Sequence, residues 1–230
     1  MKKKIVSFGD SFVFGSELKD NEDGSKAWPG LIAADLCWDY HTLAVPGCGN
    51  DAICRQILSY FSQHTAENTL AVINWTWALR WDIYTVTKEQ WTTVGPTCVP
   101  SQLARFVGDS EAQRILAFYH DYTGHSSVWE KWRSLNSIFV AQQYLDNIGA
   151  TCIETFIDPE ITDDRQHCPS YIKQLQTRVV PRLTNFEGSS FLEWSRSKGF
   201  EITDPGWHPL EEAHQAAANL WRDRYASALA

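Results

Sequence analysis

The segment Lys4–Ser11, KIVSFGDS, decides how the sequence is interpreted, because an apolar run ends there in a Gly-Asp-Ser tripeptide. Its β-branched and aromatic residues predict a first strand that stops at Phe8. Gly9 and Asp10 then allow a tight turn from the strand into a helix. Open α/β sheets bind their ligands at the carboxyl ends of the strands. Ser11 is therefore predicted to be a nucleophile whose backbone N–H can bind an anion.

A second group of reactive side chains lies near the other end of the chain, in the segment Ile202–Leu210, ITDPGWHPL. A serine hydroxyl needs a base near neutral pH, and His208 can accept its proton and return it to the leaving group. Asp204 can orient the imidazole and stabilise its charged form, which completes a serine-histidine-acid arrangement. The alternative is a turn that only caps the last helix.

Together, these two segments resemble the SGNH (GDSL-type) hydrolases, a family of serine esterases, lipases, thioesterases and carbohydrate deacetylases. The resemblance covers about residues 3–77 and 200–225. It implies a three-layer α/β/α fold around a mostly parallel, flavodoxin-like sheet, with Ser11, Asp204 and His208 as catalytic residues. One departure is that Asp204 and His208 have one more residue between them than the family usually has. The competing α/β-hydrolase elbow, Gly-x-Ser-x-Gly, fits less well because Val13 replaces its second glycine.

The same resemblance implies where an oxyanion would be held. The family uses the serine N–H, a glycine after the second strand and an asparagine after the third. Gly49 is the matching glycine, with Gly47 as the alternative. Counting from the third strand puts Thr76 at the asparagine position, whereas the asparagine itself, Asn74, comes earlier on the strand. Either residue can face the site, because alternate strand residues share a face.

The rest of the chain alternates between strand and helix patterns, which is typical of a parallel sheet with helices on both faces. Strands are predicted at about 4–8, 41–45, 70–74 and 150–157, and helices at about 28–38, from 50 or 51, from 127, at 189–198 and at 210–228. The position of a fifth strand is left open.

Composition limits the remaining possibilities. A chain of 230 residues that is 43% hydrophobic can bury one substantial core, and we expect a single domain over residues 1–230. The first apolar stretch is too short for a secretory signal or a membrane span, which predicts a cytoplasmic protein. The net charge of −8 argues against a nucleic-acid partner. The six cysteines have no metal-ligand spacing and are expected to be free thiols. We expect no metal and no cofactor, and the sequence does not indicate an oligomeric state.

Substrate-binding residues are expected around a Trp-rich insertion at about residues 79–126. Indole rings can stack on sugars or line an acyl pocket, although a core position is the common alternative for each of them. Trp75 and Trp77 directly follow the third strand and are the best candidates. Arg80 could reach a polar or anionic substrate group, or form a surface ion pair.

These features predict a serine esterase that acts through an acyl-enzyme intermediate. We favour a short acyl ester as substrate, such as an acetyl group on a carbohydrate. A lipid esterase or thioesterase would use the same groups. A binding module for a glycan or a protein, which keeps the fold but has lost turnover, is the alternative of a different class.

Overall fold

The central sheet has four parallel strands in the order β2-β1-β3-β6. The computed structural model describes residues 2–86, 88–123, 127–163 and 168–228. The strands of this sheet are β1 (Lys4–Phe8), β2 (Asp39–Thr42), β3 (Thr69–Trp75) and β6 (Thr151–Phe156). An isolated parallel bridge from Leu183 to Glu154 continues the order beyond β6, at the position where a fifth strand would lie. This order is flavodoxin-like and is confirmed as the predicted sheet type.

Helices cover both faces of the sheet, and the strands supply a different set of side chains to each face. On β3, Ala71 and Ile73 belong to one apolar cluster, whereas Leu70 and Val72 belong to the other. The first cluster contains side chains of α3 (Asn50–Phe61), α6 (Ser127–Asn147) and α7 (Ser170–Val179), and the second those of α2 (Trp28–Asp35), α8 (Phe191–Lys198) and α9 (Glu211–Ala228). The predicted three-layer α/β/α architecture follows from this two-residue alternation.

The segment after β3 builds a small unit with a core of its own. It contains a hairpin of β4 (Trp81–Thr85) and β5 (Gln90–Val94), then α4 (Pro100–Val107), α5 (Asp109–Phe118) and a π-helical turn at Tyr119–Thr123. Its buried apolar side chains include those of Val94, Leu103 and Leu116. The Tyr119 hydroxyl donates to the backbone oxygen of Leu79 at 2.8 Å. This bond fixes the unit beside the carboxyl end of β3.

The last helix is held in the second layer by a buried histidine. The side chain of His214 is 1% exposed, and its Nδ1 accepts a hydrogen bond from the backbone N–H of Trp28 at 3.0 Å. Burial lowers the pKa of His214 to about 3, so the ring is neutral and can accept that bond at neutral pH. This contact joins α9 to α2 and fixes the start of α9, just after the loop that carries His208.

Two other expectations can be compared with the structure. All six cysteines are free thiols, as predicted. Among the residues that the structure describes, no helix combines the length and the hydropathy that a membrane crossing requires.

Candidate active site

Ser11 lies at the carboxyl end of β1, at the start of the short helix α1 (Ser11–Phe14). A side chain at Gly9 would come within 2.6 Å of Val13 Cγ1 and 2.9 Å of the backbone oxygen of Asn74, so only glycine lets the turn pack this closely. Asp10 caps the helix by accepting the backbone N–H of Phe12 at 3.0 Å. The N–H of Ser11, at the first helical position, has no partner within α1 and can bind another acceptor.

The carboxylate of Asp10 connects the turn to the segment after β3. Asp10 is fully buried, and its Oδ2 accepts hydrogen bonds from Thr76 Oγ1 at 2.6 Å and from Arg80 Nη1 at 2.7 Å. The same guanidinium nitrogen donates to Thr76 Oγ1 at 2.7 Å and to the backbone oxygen of Cys48 at 3.2 Å. Arg80 thus joins three separate segments directly below the serine.

The glycine loop is held close to the serine turn, but its predicted donor is engaged elsewhere. The backbone N–H of Val45 and the thiol of Cys48 both donate to the backbone oxygen of Gly9. The N–H of Gly49 donates to Asp82 Oδ1 over a long 3.4 Å. The alternative donor, Gly47, is exposed, and a side chain there would meet nothing within 4 Å.

Asp82 was not singled out from the sequence, yet it organises this loop. Its carboxylate accepts the N–H of Ala52 at 2.7 Å and the hydroxyl of Thr93, in addition to the N–H of Gly49. Burial raises the pKa of Asp82, while these hydrogen bonds and Arg55 oppose that rise. A single acid in the middle of a hairpin strand gives no sequence pattern from which this role could have been inferred.

The two candidates for the third oxyanion donor differ in how their polar atoms are used. The hydroxyl of Thr76 is bonded to Asp10 and Arg80. Asn74 is 2% exposed, and its Oδ1 accepts from Thr155 Oγ1 at 2.8 Å. Its Nδ2 is buried without a hydrogen-bond partner among the described residues. An unpaired buried donor is costly, and in this respect Asn74 differs from Thr76, whose hydroxyl already has two partners.

His208 lies beside the serine helix, although it comes from the far end of the chain. Its ring centroid is 5.1 Å from that of Phe12, the residue after the serine. Among the described residues, the contacts between these two segments do not include a hydrogen bond from Ser11 Oγ to His208. Catalytic hydrogen bonds are often long or misaligned without substrate, so this spacing is compatible with proton transfer in a complex.

The carboxylate that lies next to the imidazole is Glu17, whereas the acid predicted from the family resemblance is Asp204. Glu17 Oε2 lies 3.2 Å from His208 Nδ1, within ion-pair distance but not aligned for a regular hydrogen bond. Asp204 lies exposed in a turn and follows Thr203 at the base of the loop. A hydrogen bond from Thr203, and more weakly the contact with His208, hold the pKa of Glu17 below its ordinary value against the effect of burial.

The predicted substrate residues separate into three kinds. Trp75 is fully buried, and its Nε1 donates to Glu154 Oε2 at 2.9 Å, so it is a core residue and not a substrate contact. Arg80 is committed to Asp10 and its neighbours, as described above. Trp77 is only partly buried at the carboxyl end of β3. A further exposed indole, that of Trp207, directly precedes His208 and is 55% exposed.

The described residues include no group of three or more His, Cys, Asp or Glu side chains that could hold a metal ion. The polar groups around Ser11 are instead a hydroxyl, an imidazole, a carboxylate, an amide and a capped helix start. This set can move a proton and stabilise a developing negative charge.

Comparison with solved structures shows which fold this is. No protein-family model matches the sequence, and no curated protein sequence matches it either. The fold is that of the SGNH (GDSL-type) hydrolases, as the two terminal motifs predicted. A lipolytic protein of the G-D-S-L family from Veillonella parvula superimposes with a TM-score of 0.51 at 12% identity, covering 98% of this chain and 99% of that one.

Two further structures are similar to the same extent. The psychrotrophic esterase EstA from Pseudoalteromonas sp., in a form inhibited by monoethylphosphonate, has a TM-score of 0.51 at 11% identity, over 97% of both chains. The structure of TesA has a TM-score of 0.50 at 16% identity, covering 99% of this chain and all of the other. The likeness thus extends beyond the two segments whose motifs resemble the family.

Proposed function

We propose that the protein is a serine esterase in which Ser11 attacks the ester carbonyl and His208 acts as the general base. The observation that carries this proposal is the approach of the two chain ends: Ser11 starts α1 at the end of β1, and the ring of His208 packs against the next residue, Phe12, at 5.1 Å. Both positions match the motifs on which the family resemblance rests.

The proposed reaction has two steps, the acylation of Ser11 and the hydrolysis of the acyl-enzyme. As Ser11 Oγ forms a bond to the carbonyl carbon, its proton passes to Nε2 of His208, and the imidazolium then gives that proton to the departing alcohol. Water repeats the sequence on the acyl-enzyme, which releases the acid and returns Ser11 to its starting state. Apart from the ester and this water, the reaction uses only side chains and backbone groups of the protein.

The oxyanion of each tetrahedral intermediate is held by the backbone N–H of Ser11 and the side-chain amide of Asn74. The unpaired Nδ2 of Asn74 supports the choice of this residue over Thr76, whose hydroxyl is already used. The N–H of Gly49 can join them only by giving up its 3.4 Å bond to Asp82. One missing donor of this kind costs on the order of 3 kcal/mol in transition-state stability, which slows an esterase without abolishing its activity.

The substrate that we favour is a short acyl ester of a carbohydrate. Trp77 is partly exposed at the end of β3, and Trp207 presents 55% of its surface beside His208. An exposed indole that precedes the proposed base in the chain, that of Trp207, suits stacking on a sugar ring. We therefore expect Trp207→Ala to lower kcat/KM for acetylated sugars more than for p-nitrophenyl acetate, which lacks the ring to be stacked. Equal losses on both substrates would argue against the sugar.

A fluorophosphonate probe tests the central claim. The protein should gain the mass of one adduct on Ser11, and Ser11→Ala should remove both the adduct and the hydrolysis of p-nitrophenyl acetate. The phosphonate-inhibited form of the structurally similar EstA makes this probe a reasonable choice. A binding module is the second candidate, favoured by the engaged Gly49 N–H and by the absence of a Ser11 to His208 bond among the described residues. Folded protein that is not labelled would support the module and refute the esterase.

A further inference from the structure

The loop that carries His208 is closed at its base by two hydrogen bonds. The backbone N–H of Thr203 donates to the backbone oxygen of His208 at 3.0 Å, and the N–H of His208 donates to Thr203 Oγ1 at 3.0 Å. The residues between them, 204–207, form the projecting part of the loop. His208 therefore lies at the base of the loop, whereas Asp204 belongs to its projecting part.

The side chain of Glu17 enters this loop from the other end of the chain. Its Oε2 lies 3.2 Å from His208 Nδ1, and the Thr203 side chain is the largest influence that lowers the pKa of Glu17. Thr203 thus connects to Glu17 and to His208 at the same time. Glu17 lies at the ring of His208 and Thr203 bonds to its backbone, which is a more ordered arrangement than a chance surface ion pair.

The loop leaves space for this carboxylate because residue 206 is a glycine. A Cβ at Gly206 would lie 2.5 Å from Glu17 Oε1 and 2.7 Å from Oε2, closer than real Cβ contacts allow. Glu17 itself has a backbone φ of 70°, in the left-handed region that non-glycine residues seldom adopt. Such outliers cluster at functional sites, where the surrounding structure maintains them.

The charges near the ring favour a stabilising carboxylate. The pKa of Glu17 is held below its ordinary value, first by the Thr203 hydrogen bond and also by His208, so Glu17 is ionised at neutral pH. The titratable group facing the ring from α9, His214, is neutral there because burial lowers its pKa to about 3. Glu17 therefore supplies the negative charge that an imidazolium at this position needs.

We propose that Glu17 is the carboxylate that orients His208, the role that the sequence motif suggests for Asp204. The proposal rests on the esterase function proposed above. With its carboxylate at Nδ1, Glu17 keeps the Nδ1–H tautomer and leaves Nε2 free to accept the proton of Ser11. It stabilises the imidazolium while that proton is in transit, but takes no proton itself. Glu17 is thus a positioning residue that acts through His208.

The test compares three carboxylate variants with one control by steady-state kinetics on p-nitrophenyl acetate between ~pH 5 and 9. The variants are Glu17→Gln, Glu17→Asp and Asp204→Asn, and the matched control is Glu22→Gln, which removes an exposed carboxylate from the same segment. Thermal melting of each variant separates a loss of fold from a loss of activity.

Glu17→Gln is expected to lower kcat on the order of 10²-fold with little change in KM, and Glu17→Asp to restore part of that loss. Asp204→Asn should lose much less than Glu17→Gln, and the Glu22→Gln control should behave as the wild type.

Three outcomes would overturn the inference. One is wild-type kinetics in a folded Glu17→Gln variant, and another is a larger loss in Asp204→Asn than in Glu17→Gln. If Glu17→Gln does not fold, Gly206→Ala decides, because full activity in that variant, whose added methyl displaces the Glu17 carboxylate, would exclude a positioning role. A wild-type protein that is neither active nor labelled at Ser11 refutes the esterase function itself. Labelled, active wild type with an indifferent Glu17 refutes only the role of Glu17.

Discussion

The substitution Gly206→Ala should lower the catalytic activity of the protein without lowering its stability, because the added methyl group displaces the Glu17 carboxylate in the His208 loop. The added methyl carbon would lie 2.5 Å from Glu17 Oε1, whereas ordinary contacts begin at about 3.4 Å. Oε2, the oxygen next to His208, would lie 2.7 Å from the same carbon and must therefore retreat by about 0.7 Å. Starting from 3.2 Å at His208 Nδ1, a retreat of that size away from the ring places the oxygen beyond hydrogen-bonding distance.

The cost of this change should fall on activity and not on folding. The atoms that must move belong to the end of a flexible side chain that is 45% exposed, and the backbone at Gly206 lies outside the left-handed region. Alanine at such a position removes freedom from the unfolded chain and stabilises by roughly 0.4–1 kcal/mol where it fits without strain. A displacement of about 1 Å in a catalytic group, in contrast, can cost on the order of 10²-fold in rate.

The assay is kcat on p-nitrophenyl acetate together with thermal melting. Gly95→Ala is the matched control, because its new methyl would meet nothing nearer than Arg80 Cγ at 3.7 Å. We expect Gly206→Ala to melt at or near the wild-type temperature while losing most of its activity, and Gly95→Ala to change neither. The double variant with Glu17→Gln should lose no more than the larger single loss, since both changes remove the same contact. Full activity in Gly206→Ala, or additive losses in the double variant, would refute the reasoning.

Three further predictions concern the groups around the serine and the last helix. Arg80→Met should lower the free energy of unfolding in urea by about 3 kcal/mol, because it leaves the buried carboxylate of Asp10 without its cation, and a loss below about 1 kcal/mol would contradict this. Asn74→Ala should lower kcat by roughly 10²- to 10³-fold with little effect on KM, as expected for an oxyanion donor, and a larger kcat loss in Thr76→Val would assign that role to Thr76. Because burial lowers the pKa of His214 from 6.5 to about 3, the unfolded chain binds a proton between these pH values that the folded chain does not. Stability should therefore fall as the pH drops through this window, by up to about 5 kcal/mol, and urea unfolding of His214→Gln should show a flatter dependence.

The sequence predicted the central sheet well because its signals are local. The strands found at Lys4–Phe8, Thr69–Trp75 and Thr151–Phe156 are apolar runs bounded by turn residues, and each is within about two residues of its predicted limits. The fifth position of the sheet was not predicted because it consists of a single bridge at Leu183, which is too short to show a two-residue alternation. The hairpin β4–β5 was missed for a different reason: its strands mix polar and aromatic residues, and its stability comes from packing against α4 and α5.

Substrate contacts were harder to predict because proximity in sequence does not determine which face a side chain takes. Trp75 and Trp77 are neighbours on one strand end, yet Trp75 faces the core cluster that contains Ile73, and Trp77 packs with the opposite cluster. Strand alternation would put both indoles on one face, because they are two residues apart. They separate because β3 ends at Trp75, so the alternation no longer applies at Trp77.

The carboxylate next to His208 shows most directly why the spacing of residues in the sequence was not enough to predict the site. The chain between Asp204 and His208 is longer by one residue than the family spacing, and the structure uses that length to make a projecting turn whose base is fixed by Thr203 and His208. A residue at the start of such a turn lies out in solvent, so Asp204 cannot remain beside the ring. The vacant place at Nδ1 is reached across Gly206 by Glu17, whose partner lies almost the whole chain away. Neither a periodicity nor a local motif can predict a contact between residues so far apart in the chain. The sequence does show the extra residue between Asp204 and His208, and it shows Gly206 within that interval, whose missing side chain leaves room for the Glu17 carboxylate.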